Sequence, residues 1–359
     1  MVVNNNFMNY KSFLNELILT LVKEQGSDLH LVVGSVPILR INGELINLIK
    51  VQELTAEDTV EILRAMVVER IFNNFVVKQE LDFAYEHLGE YRLRCNAYFQ
   101  KGLVGITLRL VSKLKTFSEL NLPSILKDIA SAKQGFFLVT GPVRQGKSTT
   151  LAAIINEINV NARKHIITIE DPIEYIYKPD KSIIAQREIG RDTNNFHVAI
   201  RESFRQDVDV ILVGEMRDLE TISAAVTAAE TGHLIFSTLH TNSASQTINR
   251  IIDIFPANEQ AQIRLQLASS LLGIFSQRLI PSVSGNMIPV YELLINNSAV
   301  ANLIRDNRIN EIDLMIETGK EYGMIDFNRN LSDLVKTGKI TLETAVAYAH
   351  NPRALQKMF

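Results

Sequence analysis

The chain has 359 residues, of which 46% are hydrophobic, so it is long enough and apolar enough for about two domains with buried cores. Its formal net charge of −3 gives no electrostatic reason to expect nucleic acid as the main partner. The single cysteine, Cys95, excludes an intramolecular disulfide and a zinc site built from several cysteines, and is typical of a reducing compartment. The first residues lack the pattern of a secretion signal and no apolar run reaches the length of a bilayer, so we expect a cytoplasmic protein.

The first third of the chain predicts a small α+β domain, residues 1–112. Apolar residues at helical spacing predict an amphipathic helix from Phe13 to Lys23, and a second helix is expected from Thr55 to Phe75 with Thr55 as its N-cap. The dipeptide Asn42-Gly43 is a strong signal for a two-residue hairpin. We expect strands at 29–33, 38–41, 44–46, 81–85, 91–98 and 105–110.

A short polar stretch, Ser112 to Thr116, predicts a hinge between domains, and we assign 113–118 as the linker. Beyond it, strand-like and helical runs alternate, which indicates a mostly parallel sheet covered by helices in an α/β domain at 119–298. From Ala299 to the end the pattern is helical, at 299–359. The predicted strands of the sheet are 136–140, 165–169, 210–213 and 234–238.

A phosphate-binding loop follows the first of these strands. The spacing G-x-x-x-x-G-K-S runs from Gly141 to Ser148, with a strand before it and a helix after it, which is the context that the motif requires. Backbone N–H groups would surround the phosphates, Lys147 would reach the outer ones and Ser148 would offer its hydroxyl to Mg²⁺. The loop therefore predicts binding of a nucleoside triphosphate. The expected contacts are Gly141, Pro142, Val143, Arg144, Gln145, Gly146, Lys147, Ser148 and Thr149.

Carboxylates follow two further predicted strands, and the ends of parallel strands share one edge of a sheet. Glu170, Asp171 and Glu174 come after one strand and could hold Mg²⁺ or its waters, although a solvated acidic turn ending at Pro172 is the simpler alternative. Glu215 ends the next strand and could deprotonate the attacking water or bind the metal through water. Which carboxylate is the base stays open at this stage, and the predicted metal residues are Ser148, Asp171 and Glu215.

Two histidines bracket the fourth strand of the sheet. His240 follows the strand and would lie near the nucleotide as a phosphate sensor, whereas His233 precedes it and would lie at the far end unless the loop folds back. Neither predicts a metal ligand, because no His or Cys lies at ligand spacing.

Four blocks of the sequence, in this order and spacing, resemble the type II/IV secretion ATPases, and among them those that retract type IV pili. The similarity extends to GSDLHL at 26–31 and RLRCNAY at 92–98, so it covers nearly the whole chain. The four blocks are GPVRQGKSTTLA at 141–152, IEDPIE at 169–174, RESFRQDVDVILVGEMRDLETI at 201–222 and TAAETGHLIFSTLHTNSA at 227–244.

The resemblance implies a PAS-like N-terminal domain, a RecA-like P-loop ATPase core, and a homo-hexameric ring with ATP and Mg²⁺ between neighbouring chains. It implies that arginines of the small domain complete each site, at the positions of Arg92, Arg94 and Arg109. It also implies docking on an inner-membrane pilus platform protein (PilC-like) at the cytoplasmic face of the membrane, with a second ATPase of the same type as a further partner and no nucleic acid.

The chain departs from the family pattern at two places. The loop usually reads GPTGSGKST, whereas Val143, Arg144 and Gln145 fill its middle here, and Ala301 replaces an arginine in the segment that resembles AIRNLI. Arg144 could point to solvent or the adjoining subunit, or lie beside the phosphates. Three hypotheses follow: a hexameric motor for pilus retraction, an accessory subunit that binds ATP but hydrolyses it poorly, and a nucleic-acid translocase, which the net charge disfavours.

Overall fold

The computed structural model describes residues 9–41, 43–89, 91–111 and 114–359. They form two compact units, Met1–Lys113 with Pro172–Ile176, and Leu114–Asp171 with Tyr177–Phe359. Ser112 and part of the predicted linker lie outside the described residues. The segment Pro172–Ile176 belongs to the first unit although its sequence neighbours belong to the second.

An antiparallel sheet forms the centre of the first unit, and within the described residues its strand order is β3-β2-β1-β6-β5-β4. Helix α1 buries Leu14, Leu17, Ile18 and Leu21 in the core of this unit. The strands are β1 (Asp28–Leu31), β2 (Ile38–Ile41), β3 (Glu44–Asn47), β4 (Glu80–His87), β5 (Tyr91–Gln100) and β6 (Leu103–Leu110). The helices are α1 (Tyr10–Lys23), α2 (Ala56–Met66) and α3 (Glu69–Lys78).

The local signals in this unit are largely confirmed. Thr55 caps α2 in a capping box with Asp58, and the pairing of Ile41 with Glu44 closes the predicted hairpin, whose Asn42 lies outside the described residues. The single helix expected from Thr55 to Phe75 is wrong. The chain is extended at Val67 and Val68, with ψ of 156° and 152°, because two adjacent β-branched residues favour that conformation and so divide α2 from α3.

A mostly parallel sheet forms the centre of the second unit, with the order β13-β12-β7-β11-β10-β8-β9 in the described part of the chain. Only the pairing of β12 with β13 is antiparallel among the pairs described for this sheet. Its strands are β7 (Gly135–Thr140), β8 (His165–Glu170), β9 (Ile183–Glu188), β10 (Val210–Val213), β11 (Leu234–Leu239), β12 (Leu271–Pro281) and β13 (Met287–Ile295).

Helices follow most of these strands and bury their apolar sides in a core that includes Phe136 and Leu138 of β7. No helix in the part of the chain that the structure describes is long and apolar enough to cross a membrane. The helices are α4 (Ile125–Ala130), α5 (Lys147–Asn161), α6 (Phe196–Ser203), α7 (Leu219–Glu230), α8 (Ala244–Asp253), α9 (Gln260–Ser270), α10 (Ser298–Arg305), α11 (Ile312–Thr318), α12 (Phe327–Lys336), α13 (Leu342–Tyr348) and α14 (Pro352–Gln356), with short 3-10 turns at Ile309–Glu311 and Lys320–Tyr322.

The four strands predicted for the parallel sheet are all present as β7, β8, β10 and β11. Their parallel pairing brings the carboxyl ends of all four to one edge, where the phosphate loop, the acidic residues and His240 follow. Strands β9, β12 and β13 were not predicted from the sequence. Polar residues such as Gln277 interrupt the apolar pattern of β12.

Candidate active site

The loop from Gly141 to Gly146 joins β7 to α5 and depends on glycine at both ends. Gly141 has φ of 142°, and a Cβ there would overlap the carbonyl oxygen of Gln277 in β12. Gly146 is the N-cap of α5 in a left-handed conformation, with φ of 79°. Glycine adopts such angles without steric cost, so the backbone can turn sharply into the helix whose N-terminus attracts anions.

Arg144 occupies the same left-handed region, with φ of 63°, although it carries a side chain. This conformation costs a residue with a Cβ about 1 kcal/mol or more. The Arg144 side chain is exposed, and Val143 beside it is 67% exposed. The departure from the family loop therefore places a strained, exposed arginine at the tip of the loop.

Lys147 begins α5 and is buried, with only 7% of its surface exposed. Its Nζ lies 2.8 Å from the carbonyl oxygens of Gly141 and of Pro142, and 3.4 Å from Nδ1 of His240. The ammonium group is thus held inside the curve of the loop, where an anion would bind. Ser148 follows it and is exposed.

Glu215 follows β10 and lies between two basic groups. One carboxylate oxygen is 2.8 Å from Arg217, and the other is 3.7 Å from Nε2 of His240. His240 therefore lies between Lys147 and Glu215, with one ring nitrogen toward each. Burial, and then the nearby positive charge of Lys147, lower the pKa of His240 below its usual value, while Glu215 acts in the opposite direction. The neutral ring is favoured at neutral pH, in the tautomer that accepts at Nδ1 and carries its proton on Nε2.

The acidic residues after β8 are divided between the two units. Glu170 ends β8 and is buried; Oγ1 of Thr168 donates to it at 2.6 Å and Gln186 lies 3.5 Å away. Asp171 is exposed at the end of the same stretch. Glu174 belongs to the first unit, where it pairs with Arg94 at 3.2 Å. The structure therefore brings Glu170 and Glu215 to one sheet edge, and Glu174 does not share their unit.

The three arginines predicted to complete the site, Arg92, Arg94 and Arg109, lie on the adjacent strands β5 and β6, and all have polar partners. Arg94 and Arg109 are directly opposite each other in the β5–β6 register. Arg109 pairs with Asp28 at 2.7 Å, and that carboxylate is only 4% exposed. Arg92 donates from Nε to the carbonyl oxygen of Ile173 at 3.2 Å. About half of the Arg94 and Arg109 side chains is exposed, at 45% and 46%, so both still present a charged surface.

His233 lies at the opposite edge of the sheet from the phosphate loop of its own chain. It precedes β11, which runs parallel to β7, and its Nδ1 is 3.1 Å from the carbonyl oxygen of Ala228. A strand of six residues spans roughly 20 Å, so His233 cannot reach the loop that follows β7. The alternative in which a loop folds back and carries it there does not occur in this structure.

Three residues at this edge were not predicted from the sequence: Thr168, Arg217 and Gln277. Thr168 donates a hydrogen bond to Glu170, and Arg217 pairs with Glu215. Gln277 is 2% exposed, and its Oε1 accepts from Oγ1 of Thr150 at 2.6 Å. The sequence held no signal for Gln277, because the strand that carries it was not predicted. Its burial in the structure requires hydrogen-bond partners, since buried polar side chains are almost always hydrogen-bonded.

The described residues do not form a metal site by themselves. Within the ranges that the structure describes, no group of three or more His, Cys, Asp and Glu side chains is placed to hold a metal ion. Mg²⁺ in a phosphate site keeps several waters and takes other ligands from the phosphates, so it needs few donors from the protein. The exposed hydroxyl of Ser148 and the partly exposed carboxylate of Glu215 are suitable donors.

Known proteins are similar to this chain over nearly its whole length. The chain is 40% identical to the type IV pilus retractation ATPase PilT of Pseudomonas aeruginosa over 94% of its length and 98% of that protein. It is 39% identical to the type IV pilus ATPase PilU of the same organism, over 96% and 90% of the two chains. A crystal structure of the pilus retraction motor PilT with bound ADP matches with a TM-score of 0.89 and 43% identity, covering 96% of this chain and 98% of that one.

The model of the type II/IV secretion system protein family matches residues 10–287, which include both sheets up to β13. The match covers the phosphate loop, Glu215 and His240 as well as the arginine strands. The conformation of the loop and the relatives above therefore indicate the same class of protein. The chain is a nucleotide-binding P-loop ATPase and belongs to the type II/IV secretion system protein family.

Proposed function

We propose that this chain forms a homo-hexameric motor that hydrolyses ATP to power retraction of type IV pili. The observation that carries the proposal is the 40% identity to a retraction ATPase over nearly the full length of both chains. The loop geometry supports it, because Gly141, Gly146 and Lys147 have the positions that a phosphate site requires. Similarity over only a part of either chain would support an ATPase fold, but it would not support a role in pilus retraction.

ATP would bind with its phosphates in the loop, and Lys147 would exchange its carbonyl partners for phosphate oxygens. Mg²⁺ would be held by Ser148, with Glu215 and Asp171 acting through water, and would neutralise charge on the phosphates. Glu215 is the better candidate for the base, since it lies beside His240 at the edge next to the loop, whereas Glu170 is buried against Thr168. His240 contacts both Lys147 and Glu215 and so could report phosphate occupancy to the base.

Arg92, Arg94 and Arg109 of the first unit would complete the site of a neighbouring subunit. Arg94 is the strongest candidate because it is half exposed and its partner Glu174 is also partly exposed, so its ion pair can be given up at small cost. A ring of this kind would dock on a PilC-like platform protein at the cytoplasmic face of the inner membrane. A second PilT-like ATPase remains a further partner in this proposal.

A second candidate function is an accessory subunit that binds ATP and regulates or joins a true motor. The identity to PilU is 39%, almost equal to that to PilT, and Arg144 and Ala301 depart from the retraction pattern. The rate of ATP hydrolysis by the purified ring separates the two. A motor has steady turnover alone, whereas an accessory subunit has little until the true motor is added.

The test of the proposed function is retraction in a pilated strain that lacks its own retraction ATPase. The chain should restore twitching, and Lys147→Ala should not, although both should be produced at equal levels. Mass measurement of the purified protein should show six subunits. Normal ATP turnover without any restored retraction would assign the motor to another task, and absence of turnover would favour the accessory subunit.

A further inference from the structure

Strand β12 continues past the end of its neighbour β7 and forms a wall beside the phosphate loop. Its pairing with β7 ends at Ser276 and Thr140, whose hydroxyls are 2.8 Å apart, whereas its pairing with β13 continues to Pro281. Beyond Ser276, the edge of β12 that pairs with β7 earlier in the strand therefore faces the phosphate loop. The contact of Gly141 with the carbonyl oxygen of Gln277 is the first consequence.

Gln145 makes hydrogen bonds to β12 beyond the point where the pairing of β12 with β7 ends. Its side-chain Oε1 accepts from the backbone N–H of Leu279 at 2.6 Å. Its own carbonyl oxygen accepts from Nε2 of Gln277, whose other end holds Thr150 in α5. One residue in the middle of the loop is thus attached to β12 at two points, through its side chain and through its backbone.

Gln145 directly follows Arg144, the residue held at φ of 63°. A residue with a Cβ tends to leave that conformation, and the bonds of Gln145 to β12 oppose this change because they hold the next peptide in place. We propose that Gln145 and Gln277 are positioning residues that latch the phosphate loop onto β12 and keep it in the nucleotide-binding conformation despite Arg144. The latch rests on the proposed function, since it acts on the same nucleotide site.

The latch predicts a specific loss of affinity. Without the latch, a smaller fraction of the free protein has its phosphate loop in the nucleotide-binding conformation. The apparent affinity for nucleotide is the intrinsic affinity multiplied by this fraction, so it falls in the same proportion. Gln145→Met keeps the length of the side chain and removes the acceptor. We expect it to raise the dissociation constant for ADP and the KM for ATP by roughly three- to tenfold, with kcat changed by less than about twofold. Gln145→Ser removes the same acceptor with a shorter side chain and should have the same effect.

The control is Gln262→Met, the same chemical change at an exposed position of α9, which should leave ADP binding unchanged.

The decisive comparison uses Arg144→Gly, because glycine adopts a φ of 63° without steric cost. If the latch acts through Arg144, Gln145→Met should weaken ADP binding by less than about twofold when it is combined with Arg144→Gly. Hydrogen exchange of the loop amides in the nucleotide-free protein should become faster in Gln145→Met and not in Gln262→Met.

The outcomes separate this inference from the proposed function. Equal losses of ADP affinity with Arg144 present and with Arg144→Gly, or unchanged loop exchange in Gln145→Met, would overturn the latch while leaving the nucleotide site intact. A parent protein that fails to bind ADP in calorimetry would instead overturn the nucleotide site itself. Should Gln145→Met fail to fold, Gln145→Ser provides the same test.

Discussion

The buried charged groups Asp28 of the first unit and Lys147 and Glu292 of the second are held in different ways. In the first unit, the buried carboxylate of Asp28 is paired with the guanidinium of Arg109 at 2.7 Å. In the second, the buried ammonium of Lys147 lies against backbone carbonyl oxygens, and the buried carboxylate of Glu292 in β13 accepts from the backbone N–H of Ala244 at 2.8 Å. An ion pair leaves a charge behind when one partner is removed, whereas a charge held by backbone dipoles can be exchanged for a ligand or neutralised. The first arrangement suits a structural support, and the second suits a binding site.

Lys147→Ala is the most severe test of this difference. It removes the charge that the backbone holds ready for phosphate, so nucleotide affinity or turnover should fall by at least about a hundredfold. The carbonyl oxygens of Gly141 and Pro142 can accept from water once the ammonium is gone, so the free energy of unfolding should change little by comparison. Calorimetric titration with ADP and denaturant unfolding measure the two quantities. Turnover at the parent rate would contradict the site assignment.

Glu215→Gln separates binding from chemistry at the same edge. The amide keeps the shape of the carboxylate and its place between Arg217 and His240, but it cannot accept the proton of the attacking water. Hydrolysis should fall by roughly 10²–10⁴-fold while ADP affinity stays within about threefold. Steady-state turnover and ADP titration give both values. A variant with normal turnover would transfer the role of base to Glu170, for which Glu170→Gln is the next measurement.

Arg94→Ala and Arg109→Ala compare the two ion pairs of the first unit. If both act across a subunit boundary, each should lower turnover at least about tenfold without loss of ADP binding, and mixing with Lys147→Ala subunits should restore part of it. Only Arg109→Ala should also destabilise the fold, by about 2 kcal/mol, because the buried carboxylate of Asp28 loses its charged partner and keeps only the hydroxyl of Ser27. Mixed rings that show no recovery would limit these arginines to a role within their own subunit.

Glu292→Gln and Asp28→Asn should change stability in opposite directions. Burial raises the pKa of Glu292 to about 7, against 4.5 for an unburied glutamate. The folded state therefore binds a proton that the unfolded state has lost between these values, so stability falls as pH rises through this range. A glutamine at this position has no charge to bury and keeps an oxygen that accepts from the N–H of Ala244. Glu292→Gln should therefore increase the free energy of unfolding by about 3 kcal/mol at pH 8 and by less than about 1 kcal/mol at pH 5.

Asp28→Asn is the matched change in the first unit, and it should destabilise by about 1–2 kcal/mol at pH 8, because the charge-assisted bonds from Arg109 are weakened. Denaturant unfolding at the two pH values measures both variants. A Glu292→Gln variant without any pH-dependent gain would show that its carboxylate is already stabilised in the ionised form.

The sequence by itself determined the features that depend on neighbouring residues. The phosphate loop, the strands β7, β8, β10 and β11 and the Thr55 cap follow from local patterns of glycine, apolar and capping residues, and all are present. Parallel pairing then required the ends of those strands to share an edge, which brought Glu215 and His240 together and placed His233 at the other end.

Only the tertiary structure decided which distant residues support that edge. Gln277 lies 132 residues from Gln145 along the chain, and its contact with the loop depends on how far β12 extends past β7. The segment Pro172–Ile176 belongs to the first unit because its carbonyl and carboxylate groups meet Arg92 and Arg94, some 80 residues earlier. Such contacts join segments that have no common local pattern, so they depend on how the assembled sheets bring distant polar groups together.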